Sequence, residues 1–205
     1  MKYKWLNKEA NEKVIIFFNG WGMDESVVKH LDCEDFDVLM FYDYNTLDTD
    51  FEFEELTRYK NRYLVSWSMG VCRGAECNKL GLLTSSTAIN GTLKPIDNEY
   101  GIPERIYDLT LRNFSPAGAQ KFIKNMFSSP VNLPKNLRDF ENQKSELAAL
   151  KNYSSDSDFR YDRVIISSED KIIPTKNQVK FWNIEPNIKG GHCLFFEYKS
   201  WSELL

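Results

Sequence analysis

The stretch Tyr63-Leu-Val-Ser-Trp-Ser68-Met-Gly70-Val-Cys-Arg-Gly74 constrains the fold more than any other part of the chain. An apolar strand-like run stops at Ser66-Trp67, a serine follows at position 68, and small residues open what reads as a helix from Met69 to about Leu80. A strand that turns this sharply into a helix needs small side chains on both sides of the turn, because the helix start lies directly on the strand end. The pattern is that of a nucleophile elbow, G-x-S-x-G. Ser66 takes the place of the first glycine, and Gly70 keeps the second. A motif this short acquires meaning only from its surroundings.

The surroundings repeat one theme. Residues 2–6 suit an edge strand, and Lys13–Phe18 is a continuous apolar run of the kind buried on both faces of a parallel sheet. Asn19-Gly20-Trp21-Gly22 is a turn sequence, after which Asp24 can cap a helix carrying Val27, Val28 and Leu31. Phe36–Tyr42 predicts the next strand, Asp48–Glu55 a solvated loop and helix face, and Thr84–Asn90 a further strand. Asp162–Ser168 resumes the sheet, and a short helix and strand lead to Lys189-Gly-Gly-His192, with room for one closing helix beyond. Alternating strands and helices of this length predict an α/β fold with a mostly parallel sheet. At 205 residues, without internal repeats, the expectation is one domain spanning 1–205.

Between about 95 and 158 the alternation breaks. Ser115-Pro116 is a helix start, a capping serine followed by proline at the first helical position, and Phe122, Ile123, Met126 and Phe127 give that helix one apolar face. Pro130 and Pro134 bracket a turn, and Leu137, Phe140, Leu147 and Leu150 recur at helical spacing. Two amphipathic helices inserted between sheet strands read as a lid; the competing reading is ordinary packing helices of an open sheet. Tyr153–Asp158 is a polar linker out of the insert.

A serine hydroxyl needs an adjacent base, and the base an orienting acid. His192, flanked by two glycines, sits on what reads as a flexible, exposed turn, whereas His30 falls inside a surface helix. Asp170 lies just past an apolar strand, where parallel α/β sheets place functional side chains, and Glu169 beside it is the alternative acid. The oxyanion of acyl transfer takes one donor from the residue after the nucleophile, the Met69 N–H, and a second from the loop after an early strand, for which the Trp21 N–H is the candidate. Trp21 and Trp67 also flank the proposed reaction centre and are candidates for lining an acyl pocket; a plain Gly-Trp-Gly turn is the competing reading.

Other classes are excluded more simply. Two histidines leave no histidine-rich metal site, and Cys33, Cys72, Cys77 and Cys193 show neither C-x-x-C pairing nor metal-ligand spacing, so no metal or cofactor is expected and the thiols read as free in a reducing cytoplasm. No apolar run approaches the ~20 residues that span a bilayer. A net charge of −4 argues against nucleic acid as a partner.

Together, Phe17-Phe-Asn-Gly-Trp-Gly-Met-Asp24, Val65-Ser-Trp-Ser-Met-Gly70, Asp170-Lys-Ile-Ile-Pro174 and Gly191-His192 resemble the BioG-type pimeloyl-acyl carrier protein methyl ester esterases, an α/β-hydrolase family of biotin synthesis. The likeness runs from about residue 1 to 205. It implies an α/β-hydrolase fold and removal of the methyl group from pimeloyl-carrier-protein methyl ester. By matching motifs it also implies Ser68 as nucleophile, His192 as base, Asp170 as acid, and Trp21 and Met69 as oxyanion donors. Asn19 replaces the histidine usual in this loop of the wider fold, and Ser66 replaces a glycine. From Leu111 to Arg138 there are five basic residues, Arg112, Lys121, Lys124, Lys135 and Arg138, and no acidic one. Acyl carrier proteins are acidic, so this run is a candidate docking surface for one, against the reading of a solvated helix face. The expected protein is a cytoplasmic serine carboxylesterase. A generalist short-acyl esterase or thioesterase and an inactive hydrolase-like binding module are the alternatives.

Overall fold

The computed structural model describes residues 1–77, 80–129, 136, 138–153 and 157–205. Among the described residues six strands form one sheet: β1 (Lys2–Asn7), β2 (Lys13–Phe18), β3 (Phe36–Tyr42), β4 (Asn61–Trp67), β5 (Ser85–Ile89) and β6 (Arg163–Ile165), in the spatial order β1-β3-β2-β4-β5-β6. Only β1 runs antiparallel, at the edge beside β3. The other pairings are parallel, with Phe18 level with Phe41 on one side and Ser66 on the other. This is the α/β-hydrolase architecture expected from the sequence. The central strands carry apolar runs, Val14–Phe18 in β2 and Val38–Tyr42 in β3, because both of their faces are covered. Along β2, Ile16 and Phe18 join one core with Leu39, Phe41 and Leu64, while Ile15 and Phe17 join a second with Met40, Val65 and Trp201.

The helices are α1 (Met69–Glu76), α2 (Glu104–Arg112), α3 (Pro116–Asn125), α4 (Phe140–Leu150) and α5 (Thr175–Trp182). α3 starts as predicted, with Ser115 Oγ accepting from the Gly118 N–H and Pro116 at the first position. α4 is shorter than the apolar spacing suggested: it starts at Phe140, where Asp139 accepts from the Asn142 N–H. Pro130, Pro134, Lys135 and Leu137 lie outside the described residues. No helix was expected over 104–112, where α2 buries Tyr107 and leaves Ile106 and Leu109 exposed.

Three other expectations are corrected. Asp24 caps only a single 3₁₀ turn, Glu25–Val27, because its carboxylate reaches the Ser26 N–H and the chain is then drawn into a bridge between Asp32 and Ser200. Part of the acidic stretch is not solvated: Phe51 and Phe53 are buried against Phe41 and Tyr3. The closing segment forms two short 3₁₀ turns, Phe195–Glu197 and Trp201–Leu204, that bury Phe195, Trp201 and Leu204 on the sheet. Among the described residues no helix is long and apolar enough to cross a membrane.

Candidate active site

Ser68 stands between β4 and α1 at φ 58° and ψ −124°, outside the regions a serine ordinarily adopts. The strain is held by close packing on both sides. Gly70 lies so near the end of β2 that an added Cβ would fall 2.2 Å from the Phe18 carbonyl oxygen. Ser66, standing where the elbow pattern has glycine, is fully buried, and its hydroxyl faces Gly74, where an added Cβ would come 2.4 Å from Ser66 Oγ. Gly74 thus yields the space that Ser66 occupies.

His192 Nε2 lies 2.9 Å from Ser68 Oγ, and His192 Nδ1 donates to Asp170 Oδ2 at 2.8 Å. With Nδ1 donating to a carboxylate, Nε2 faces the serine as an acceptor. Asp170 accepts three further hydrogen bonds: Oδ1 from the N–H groups of Ile172 (2.8 Å) and Ile173 (3.1 Å), and Oδ2 from Gln178 Nε2 (2.8 Å). Glu169 is exposed, and its N–H donates to the Gly190 carbonyl. His30 stacks on Phe196, with Nε2 2.9 Å from the Phe195 carbonyl oxygen.

His192 is 1% exposed, which corrects the reading of an exposed, flexible turn. Its carbonyl accepts from Trp67 Nε1 (2.9 Å) and Asn90 Nδ2 (2.9 Å), and Cys193 N donates to the Met126 carbonyl. Gly191 is glycine because a Cβ there would meet the Met126 carbonyl oxygen at 2.6 Å. Burial pushes the neighbouring Cys193 thiol up to about 12, so it stays protonated.

The Asn19–Gly22 loop lies beside the serine: a Cβ on Gly20 would come within 3.4 Å of Ser68 Cβ. Asn19, in the place of the usual histidine, is buried; its Oδ1 accepts from the Gly20 N–H (2.8 Å) and its Nδ2 donates to the Asp24 carbonyl (2.9 Å). Met69 opens α1 immediately after the serine. Trp21 and Trp67 both line a cavity of about 140 Å³ that holds Ser68 and His192 at its base. The inserted segment adds largely apolar walls, with Ile106 and Tyr107 of α2, Phe122 of α3 and Leu147 of α4, and Lys171 and Ile172 beside Asp170 line it as well. The Trp21 indole packs edge-to-face on Phe114 and Phe122 and donates to the Gln143 carbonyl at 2.9 Å.

The basic run divides. Arg112, Lys121 and Lys124 are exposed on α2 and α3, and Lys135 lies outside the described residues. Arg138 is corrected: its side chain is 5% exposed and ion-paired with Glu146 (2.6 Å) and Asp43 (3.3 Å), so it is not a surface charge. A fully buried carboxylate at Glu146 requires a countercharge, and Arg138 supplies it. Glu146, Gln178 and Asn90 each hold a loop of the site, and no motif marked them; the partners of Glu146 and Asn90 are remote in sequence, whereas Gln178 bonds Asp170 and the Ile173 carbonyl nearby. No cluster of three potential metal ligands occurs among the described residues.

Comparison with known proteins bears on the family and the fold. The family model for pimeloyl-ACP methyl esterase BioG matches residues 1–204. The crystal structure of selenomethionine BioG from Haemophilus influenzae superposes with a TM-score of 0.89 at 32% identity, covering 100% of this chain and 99% of that one. A malonyl-[acyl-carrier protein] O-methyltransferase of Bacteroides fragilis is 38% identical over 86% of this chain, which spans only 37% of that relative's length. An α/β-hydrolase fold protein from Burkholderia ambifaria, 13% identical with a TM-score of 0.57 over 94% of this chain and 88% of its own, shares the fold.

Proposed function

This chain belongs to the pimeloyl-ACP methyl esterase BioG family, and we propose that it hydrolyses the methyl ester of a pimeloyl group carried by acyl carrier protein, through a covalent acyl-enzyme on Ser68. The observation that carries the reading is the hydrogen-bonded series Ser68–His192–Asp170 at the base of a largely apolar cavity. Ser68 Oγ attacks the ester carbonyl carbon while His192 Nε2 takes its proton. The oxygen of the tetrahedral intermediate is held by the N–H groups of Met69 and Trp21. Collapse breaks the bond to the methoxy oxygen, which leaves as methanol with the proton from His192. Water, deprotonated by His192, then attacks the acyl carbon; the bond to Ser68 Oγ breaks, His192 returns the proton to that oxygen, and the distal carboxylate is freed. Asp170 keeps the Nδ1 proton in place and stabilises the imidazolium as it forms. The walls from the inserted segment suit a methylene chain.

A carrier-bound substrate is supported by the family and by a relative whose name is for methylating malonyl-acyl carrier protein. The exposed cations Arg112, Lys121 and Lys124 would face the acidic carrier. The test is incubation with pimeloyl-carrier-protein methyl ester, measuring methanol release, alongside Ser68→Ala and labelling by a serine-directed phosphonate. Wild type should release methanol, Ser68→Ala should fold and release none, and the label should sit on Ser68. Near-normal turnover by Ser68→Ala, or labelling of Cys72 instead, overturns the mechanism. Good turnover of simple esters with none of the carrier-linked ester would identify a generalist.

A further inference from the structure

The inserted segment reaches the oxyanion loop through one buried carboxylate, Glu146 of α4. Its Oε2 accepts from the Gly22 N–H at 3.0 Å and its Oε1 from the Tyr44 N–H at 2.8 Å, while Arg138 Nη1 donates to Oε2 at 2.6 Å. The side chain is fully buried. Burial raises the Glu146 carboxyl, and Arg138 with the two backbone donors pulls against that rise. Arg138 also pairs with Asp43; burial would raise that carboxyl, but hydrogen bonds from Lys2 and Asn45 and the Arg138 charge hold it at about 2. On the other side of the same turn, Asn136 Nδ2 donates to the Gly22 carbonyl at 2.7 Å.

Most amides of the loop are engaged. The Asn19 N–H donates to the Phe41 carbonyl, the Gly20 N–H to Asn19 Oδ1, the Gly22 N–H to Glu146, and the Met23 N–H to the Gly20 carbonyl at 3.4 Å. Among the described residues no hydrogen bond engages the Trp21 N–H. Gly22 sits at φ +72°, as the third residue of a type II turn requires, so the direction of the Trp21 amide depends on how the turn is held. We propose that Glu146, neutralised by Arg138, is a positioning residue for the oxyanion hole: by holding the Gly22 N–H it fixes the turn that presents the Trp21 N–H to the reacting carbonyl beside Ser68. Neutralisation matters because an unpaired carboxylate one peptide away would oppose the charge that develops on the substrate oxygen. The inference rests on the esterase reading given above.

The test uses the full chain with Glu146→Asp and Glu146→Gln, assayed on the carrier-linked methyl ester and on a small chromogenic ester. Glu146→Asp retains the charge that Arg138 requires while withdrawing the carboxylate from Gly22. Loss of a whole oxyanion donor costs about 10²–10³ in kcat, so a displaced donor should cost about 10–100-fold on both substrates, with KM changed less than about twofold. Affinity for a trifluoromethyl ketone, whose hemiketal oxygen occupies the same hole, should fall by the same factor. A merely structural role would lower the melting temperature without linking inhibitor affinity to kcat. Unchanged kcat in folded Glu146→Asp, a loss confined to KM, or a kcat loss with full inhibitor affinity overturns the proposal. Ser68→Ala separates the two claims: if it is inactive while Glu146→Asp is normal, the positioning role fails and the esterase reading stands. An active Ser68→Ala fails the esterase reading itself.

Discussion

Asp170→Asn is the change whose outcome the structure fixes most tightly, because every lone pair the carboxylate offers is already used. Oδ1 faces two backbone N–H groups, and Oδ2 faces the His192 Nδ1–H and the Gln178 amide. An asparagine must turn its NH₂ towards one pair or the other. Turned towards Ile172 and Ile173, it leaves one buried and one part-buried backbone donor without an acceptor, at about 1–3 kcal/mol for the buried one and less for the other. Turned towards His192, it leaves less unmet: the imidazole can move its proton to Nε2, and Gln178 Nε2 still donates to the Ile173 carbonyl at 2.8 Å. A preference of about 2 kcal/mol is a factor of about 30. The favoured state places an N–H, not a lone pair, against Ser68, so the histidine cannot act as base. The minor state keeps the proton on Nδ1 but lacks the carboxylate charge that stabilises the imidazolium, which costs roughly another factor of ten. The expected loss in kcat is therefore about 10²–10⁴, the upper end matching the loss known for such a change in a serine protease triad. The melting temperature should stay near wild type, because the backbone donors keep their acceptor. Glu169→Gln, at an exposed position, should change kcat by less than about twofold. Steady-state kinetics on a chromogenic ester with thermal denaturation checks both. An Asp170→Asn loss under tenfold, or a larger loss from Glu169→Gln, refutes the reasoning.

Two further outcomes follow from the same structure. Reversing Lys121 and Lys124 to Glu should lower kcat/KM for the carrier-linked ester roughly tenfold, since exposed pairs are worth about 0.2–1 kcal/mol each and a reversal counts twice. Added salt should weaken wild-type turnover of that substrate likewise, while a small ester stays nearly unchanged under either treatment; equal losses on both substrates would show the run to be structural. Gly74→Ala should destabilise by about 1–3 kcal/mol through its contact with Ser66 Oγ, and Ser66→Gly in the same chain should recover most of that in urea unfolding. A double variant no more stable than Gly74→Ala would mean that the two positions do not share the space.

What the sequence reveals and what it hides divide on physical grounds. Strands β2 to β4 were legible because burial on both faces favours apolar runs, and such runs need no knowledge of partners, whereas β5, Ser85–Ile89, carries no such run. Ser68, Asp170 and His192 were picked out by local signs, a small-residue turn, a strand end and flanking glycines, and the structure brings them within hydrogen-bond distance. The glycines beside His192 were read as freedom. In the structure Gly191 is needed for close approach to Met126, so the same residue serves rigidity. Arg138 was misread because its partners, Asp43 and Glu146, cannot be inferred from a local charge count. Glu146 was invisible for a related reason: its targets are main-chain amides 124 and 102 residues away, and no side-chain pattern announces a backbone partner.

The two places where the chain departs from the wider hydrolase pattern are each matched by a specific residue elsewhere. Ser66 brings a hydroxymethyl group into the crowded elbow, and Gly74, one helical turn beyond Gly70, has no side chain where that group points. Asn19 stands where a histidine is usual, and its amide takes up one N–H and one carbonyl of the loop it begins. The Tyr44 hydroxyl donates to the Asn19 carbonyl at 2.7 Å, while the Tyr44 N–H is held by Glu146. Asn19 therefore secures one end of the Asn19–Gly22 loop and Glu146 the other, and both also bond Tyr44. The fixed end belongs to the sheet, and the other is held by a helix inserted between β5 and β6. The same helix thus lines the cavity, through Leu147, and holds the loop proposed to carry an oxyanion donor, through Glu146.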